Sequence, residues 1–223
     1  MNNALSVSSL LDLSHTVAAS LFDDATFPWE VLPKISEFIL TLGPTLDENI
    51  FEKRGENIWV ARSAKIAPTA SLNGPLIIDE DAEIRHCAFI RGSAIIGKGA
   101  VIGNSTEVKN AVIFDKAQVP HYNYVGDSVL GFMAHMGAGA VTSNLKSDKS
   151  NVTVLCNGER VVTGLKKFGA ILGNRADVGC NSVLCPGSVL GEGCRVYPLS
   201  LVRGHVPENH IYKNKSEIVE IHE

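Results

Sequence analysis

Aromatic side chains are scarce in this sequence, at 6% of the chain, and that argues against the bulky core of a β-sandwich. No run approaches the ~18 consecutive apolar residues that would span a bilayer, so no membrane partner is expected. The start, Met1 to Leu11, has no basic n-region of the kind that opens a secretory signal. The five cysteines, Cys87, Cys156, Cys180, Cys185 and Cys194, include no C-x-x-C pair. That removes the usual zinc-knuckle and redox motifs and suggests free thiols in a reducing, cytoplasmic compartment. A basic excess is missing too: the net charge is −4, which speaks against a nucleic-acid partner. What remains is ordinary for a globular chain, 45% hydrophobic and 20% charged, so disorder is not expected. Glycine, by contrast, is plentiful, as a tightly wound repeat requires.

The repeat is there. From Ile66 an aliphatic residue recurs at every sixth position: Ile66, Leu72, Ile78, Ile84, Ile90, Ile96, Ile102 and Val108. After Val108 the phase slips by one and continues through Ile113, Val119, Val125, Leu130 and Met136. It breaks near Thr142 and restarts at Leu172, Val178, Leu184, Leu190, Val196 and Val202. Neither a helix nor a hairpin has a period of six. Such a period means a short strand and a turn, repeated, with the large side chain pointing inward. Three units make a triangular coil, and residues eighteen apart then stack at the ~4.8 Å strand spacing. The expected fold is an all-β core, a parallel β-helix over residues 57–207.

The flanks differ in character. In residues 1–56, Leu10, Leu13, Val17 and Leu21 have helical spacing, and Val31, Ile35, Phe38, Ile39 and Leu42 form a second run stopped by Gly43-Pro44. The expectation is a short helical cap over the open edge of the first coil, because a bare end is an unpaired strand edge. An excursion at 143–168 interrupts the repeat. Its Asn157-Gly158 lies between two alternating strands and signals a hairpin, a candidate for reaching over an adjacent subunit. The polar tail, 208–223, is expected to close the last coil.

One stretch of the repeat is rich in polar and aromatic groups, Pro120-His121-Tyr122-Asn123-Tyr124-Val125-Gly126-Asp127. A histidine there can serve as general base near neutral pH, or be an unremarkable residue in a wet turn. Three segments carry a resemblance: Gly103-Asn-Ser-Thr-Glu-Val-Lys-Asn, His121-x-x-Tyr124-Val-Gly-Asp127, and Met136-Gly-Ala-Gly-Ala-Val-Thr-Ser-Asn144. Together with the spacing of His121 from Arg91, Lys109 and Asn144, they resemble the acetyltransferase domain of the N-acetylglucosamine-1-phosphate uridyltransferases, over about residues 60–207. The chain as a whole is similar to standalone bacterial proteins described as related to UDP-N-acetylglucosamine pyrophosphorylase. The nucleotidyltransferase half of the bifunctional enzymes has no counterpart here.

The resemblance implies a left-handed coil, a homotrimer with the site between neighbouring prisms, acetyl-CoA as co-substrate, no metal, and an amino-sugar phosphate as acceptor. It implies that His121 deprotonates the sugar amine, with Asn144 and Tyr124 orienting amine and sugar. Arg91 and Lys109 would hold the phosphate, and Ala138 would meet the acetyl or cofactor end with its backbone. Lys166, Lys167 and Arg175 form a basic cluster that would meet the phosphates of coenzyme A, or would be solvated. Two positions depart from the bacterial pattern: His135 stands where those enzymes carry Asn, and Leu145 where they carry Tyr. Two other readings remain open. One is a non-catalytic scaffold of nucleotide-sugar metabolism. The other is a metal hydratase on the same repeat, for which His86 and His121 have the spacing of two ligands but Gly126 occupies the place of the third.

Overall fold

The computed structural model describes residues 3–214 and 217–220. The period of six becomes a left-handed coil with three flat faces. The first face stacks Ile58–Ala61, Leu76–Ile78 and Ala94–Ile96 in parallel and continues to Ala170–Leu172, Ser188–Leu190 and His205–Val206. The second runs from Lys65–Ile66 through Val101–Asn104, Gln118–His121 and His135–Met136 to His210–Asn214. The third holds Ser71–Leu72, Phe89–Ile90, Val141–Thr142, Val183–Leu184 and Leu201–Val202. The repeating aliphatic residues face inward, and from Ile78 to Val202 they are buried almost completely.

The phase slip has a local cause. Glu107–Ile113 and Tyr124–Leu130 each run unbroken from the third face onto the first. Where they bend, Asn110 and Asp127 take left-handed φ values of 49° and 48°, which these short polar side chains tolerate better than most. Ile78 pairs with Ile96 eighteen residues on, but Ile96 pairs with Ile113, one residue sooner. The break expected near Thr142 falls just after it. Thr142 is itself buried in the inward column and pairs with Leu184; its hydroxyl accepts from Gly126 N at 2.9 Å.

Residues 3–45 differ from the expected end cap. They lie along the flank, covering the first face. The reason is written on that face: Ile77, Ile95, Val112, Val129, Ile171 and Val189 point outward and are fully buried. Each such aliphatic side chain stabilises by about 1.5–3 kcal/mol when taken from water, so a face this apolar demands a cover. The segment starts at the C-terminal coils, where Leu10 O accepts from Asn174 N at 2.9 Å. It then stacks His15 on Phe132, sets Phe22 edge-on to Phe114 and packs Trp29 on Phe168. Its second apolar run holds a helix of two turns, Ile35–Leu42. The first run forms separate short turns instead: one helical turn, Val7–Leu10, N-capped by Ser6, and the 3-10 turns Leu13–His15, N-capped by Asp12, and Ala19–Phe22, each cap starting a new turn where a single helix would have run on. The edge of the first coil is covered by a strand, Phe51–Gly55, antiparallel to Ile58–Ala61.

The excursion forms the hairpin Thr153–Cys156/Glu159–Val162, with Asn157 and Gly158 at φ 51° and 81°, the two left-handed residues of a type I′ turn. It packs onto its own prism instead of standing clear. Val152, Val154 and Cys156 are buried, and a Cβ on Gly204 would lie 2.6 Å from Leu155 O, so only glycine admits the hairpin backbone there. At the far end His210–Asn214 and Glu217–Glu220 pair antiparallel and extend the second face beyond the last coil. Of the expected tail, residues 215, 216 and 221–223 lie outside the described residues. Among the described residues no helix is long and apolar enough to cross a membrane.

Candidate active site

His121 ends its strand at the corner between the second and third faces, and it is exposed. The corner is held by Asn123, which is only 3% exposed. Its Oδ1 accepts from His121 N at 3.0 Å, and its Nδ2 donates to Gly137 O at 2.8 Å and Ala140 O at 3.0 Å. One buried amide thus ties the histidine corner to the Gly137-Ala138-Gly139 turn of the next coil. Gly139 N closes the link by donating to His121 O at 3.0 Å. The turn that carries Ala138 is thereby held next to His121. The imidazole of His121 has no hydrogen-bond partner among the described residues.

Across the third face a second cluster gathers around Asp127, whose side chain is nearly buried. Asn110 Nδ2 donates to its Oδ1 at 2.9 Å, and Lys109 Nζ lies 3.4 Å from its Oδ2. Asn144 Nδ2 donates to Asp127 Oδ2 and, at 3.2 Å, to the Tyr124 hydroxyl. Lys109, Tyr124 and Asn144, singled out from the sequence, are thus brought together by a carboxylate that was not. Asp127 closes the His121-x-x-Tyr124-x-x-Asp127 stretch, and its spacing was the available signal. Gly126 makes the cluster possible: a Cβ there would lie 2.4 Å from the Tyr124 hydroxyl and 2.9 Å from Asn144 Nδ2. Burial pushes the Tyr124 phenol above its ordinary pKa, and the nearby Asp127 and Glu107 carboxylates push it further.

Arg91 lies on the same face, one coil above Lys109, its guanidinium 2.7 Å from Glu107 Oε1. That hydrogen-bonded carboxylate raises the Arg91 pKa. Both cations expected to hold a phosphate therefore already face a carboxylate. His135, on the second face, bonds Asp177 through Nδ1 at 2.8 Å and holds that carboxyl below its usual pKa.

The basic residues expected to act together are separated. Lys166 and Lys167 are exposed beyond the hairpin; Lys167 bridges to Leu145, and the next residue, Phe168, donates its N–H to Asn144 O at 3.0 Å. Within one chain that puts them on the Asn144 side of the third face, while Ala138 is on the His121 side. Arg175 is elsewhere, paired with Glu192 at 3.0 Å and lying over the Phe132 ring. A concavity of about 350 Å³ adjoins Asn144, lined by Ser143, Leu145, Lys146, Cys185 and Arg203 among others. No group of three or more His, Cys, Asp or Glu among the described residues is arranged to hold a metal; His86 instead bonds Thr69 Oγ1 at 2.9 Å.

Comparison with known proteins adds a family. Residues 72–219 match the family described as the GMPPB C-terminal domain. A bifunctional sugar-1-phosphate nucleotidylyltransferase/acetyltransferase of Sulfurisphaera tokodaii is 34% identical over 166 residues, covering 66% of this chain and 41% of that protein. An uncharacterized acetyltransferase of Escherichia coli, YaiX, is 30% identical over 173 residues, 78% of this chain and 75% of its own. The chain thus spans less than half the length of its bifunctional relative. Among solved structures, a hexapeptide transferase family protein from Anaplasma phagocytophilum aligns with a TM-score of 0.41 and 17% identity, over 74% of this chain and 78% of that one. With well over half of its residues inside the matched region, the chain belongs to the GMPPB C-terminal domain family.

Proposed function

We propose that the protein transfers an acetyl group from acetyl-CoA to the amine of an amino-sugar phosphate, with His121 as general base. The observation that carries the reading is the corner itself: an exposed imidazole tied by Asn123 to a Gly-Ala-Gly turn. Amines are protonated at neutral pH, so nucleophilic attack requires a base to take a proton. The freed nitrogen attacks the thioester carbonyl, the new C–N bond forms, the C–S bond breaks, and the coenzyme thiolate leaves with a proton. The narrow turn around Ala138 allows the thioester to approach backbone, and Asn144 with Tyr124 orients the sugar. Lys109 and Arg91 attract its phosphate, their carboxylate partners moderating the charge.

His121 and the Asp127 cluster occupy opposite edges of one face. A site drawing on two neighbouring chains brings such edges together, and this supports a homotrimer. The outward row of that face is semi-apolar, with Phe89, Val141 and Val183 half-buried and Leu201 52% exposed, as a surface covered by another copy would be. The test is thiol release on mixing the protein with acetyl-CoA and glucosamine-1-phosphate or related amino sugars. No release above background across that panel removes the proposal.

A non-catalytic scaffold is the second reading. It is favoured by His135 and Leu145 at positions where the resembled enzymes differ, and by two cations already paired with Glu107 and Asp127. A His121→Ala protein indistinguishable from the parent in every assay selects this reading.

A further inference from the structure

The Asp127 cluster has a direction. A carboxylate with Lys109 and Asn110 as donors can only accept, so the group of Asn144 turned toward it must be the amide nitrogen. That nitrogen has two protons. One goes to Asp127 Oδ2, and the other to the Tyr124 oxygen at 3.2 Å. Tyr124 therefore accepts from Asn144 and keeps its own O–H to donate elsewhere. Asn144 Oδ1 has no hydrogen-bond partner among the described residues. Among the described residues the one fully buried side-chain N or O atom without a partner is Asp79 Oδ2, so Asn144 Oδ1 is accessible from outside.

We propose that Asp127 is a positioning residue that fixes the donor–acceptor polarity of the acceptor site. It holds Asn144 so that one acceptor, Asn144 Oδ1, and one donor, the Tyr124 hydroxyl, face the cleft side by side. The pair recognises a ligand offering the reverse: an N–H or O–H donor next to an oxygen acceptor. An amine flanked by a ring or hydroxyl oxygen, as on an amino sugar, has that pattern, whereas two neighbouring acceptors such as a bare carboxylate do not. The ligand assignment rests on the acetyl-transfer reading above; the polarity itself does not. Gly126 is part of the device, since any side chain there would push the phenol and the amide apart.

The first measurement needs no substrate. In the wild-type protein the side-chain NH2 resonances of Asn144, identified by their loss in Asn144→Ala, are expected to exchange slowly with solvent, because both protons are bonded. In Asp127→Asn the protection is lost. Fast exchange of both protons in the wild type, at the rate of an exposed amide, overturns the proposal whatever the activity. The second measurement is acetyl transfer. Asp127→Asn is expected to lower kcat/KM about 10- to 100-fold, the usual consequence of losing a hydrogen bond to a charged group.

The swap Asp127→Asn with Asn144→Asp separates positioning from mere structure. It restores the hydrogen bond between the two side chains and with it the melting temperature. The new carboxylate at 144, however, accepts the Tyr124 proton, so the outward donor is gone and transfer stays low. Recovery of full transfer in the swap overturns the proposal. If the wild type transfers no acetyl group at all, the functional reading fails, and the amide exchange still decides the polarity.

Discussion

Gly126→Ala is the substitution through which the geometry of the third face is most sharply tested. The strand alternation puts Tyr124 and Gly126 on the same side, and the phenol lies over the glycine. A methyl group at 126 would sit 2.4 Å from the Tyr124 oxygen, 2.7 Å from its ring carbon and 2.9 Å from Asn144 Nδ2. Contacts that short force the ring and the amide to move. Overpacking of this kind costs about 1–3 kcal/mol. At roughly 2–4 °C per kcal/mol for a chain of this size, the melting temperature should fall by about 2–12 °C. Acetyl transfer should fall as well, because both displaced groups belong to the proposed acceptor site. The closest atom is the phenolic oxygen, so Tyr124→Phe removes the worst contact. A double-mutant cycle by thermal and urea denaturation should therefore show the Gly126→Ala penalty reduced in the Tyr124→Phe background, with a coupling of about 1 kcal/mol. Single effects that add to within about 0.5 kcal/mol, or a Gly126→Ala protein as stable as the parent, would refute the packing described here.

Replacing His121 with Ala should lower kcat by about 10²- to 10⁴-fold while leaving the melting curve in place, since the imidazole is exposed and bonds to none of the described residues; a matching loss of stability would count against the assignment. Trp29→Ala should cost about 3–5 kcal/mol in urea denaturation, because Trp29 is 1% exposed and packs between Phe27 and Phe168. Thiol titration of the native protein should find Cys87 and Cys180 reactive. Cys156, Cys185 and Cys194 should wait for denaturant, because burial raises each thiol, Cys194 to about 12; a third fast thiol contradicts this. Burial and the neighbouring His210 hold the His205 imidazole below its ordinary pKa. The unfolded chain then takes up that proton first, so stability falls as pH drops through the ordinary imidazole range and levels off below the folded-state value. Melting temperatures from pH 7.5 to 5.5 should fall less steeply in His205→Asn than in the parent, and parallel slopes would argue otherwise.

The coil was legible because its cause is local. An aliphatic residue every six positions dictates one inward side chain per short strand, and each coil repeats the same steric problem as the last. The same logic exposed the Asn157-Gly158 turn. The sequence also carries the second aliphatic column of the first face, Ile77, Ile95, Val112, Val129, Ile171 and Val189. That column gives residues 3–45 a flank to cover and not an end. Their first apolar run has helical spacing but folds as separate turns, because spacing alone does not register capping side chains such as Ser6 and Asp12.

The sequence determined the winding of this protein, since burial at a fixed period depends only on neighbours within one or two coils. Tertiary structure decided the site. Asp127, Asn110, Lys109 and Asn144 meet because coils of one residue less stack their bends, and because a long excursion begins where Asn144 leaves the face. Which atom of an amide points at a carboxylate is set by hydrogen bonds among residues far apart in the chain. A one-dimensional pattern of residue types carries no such directions.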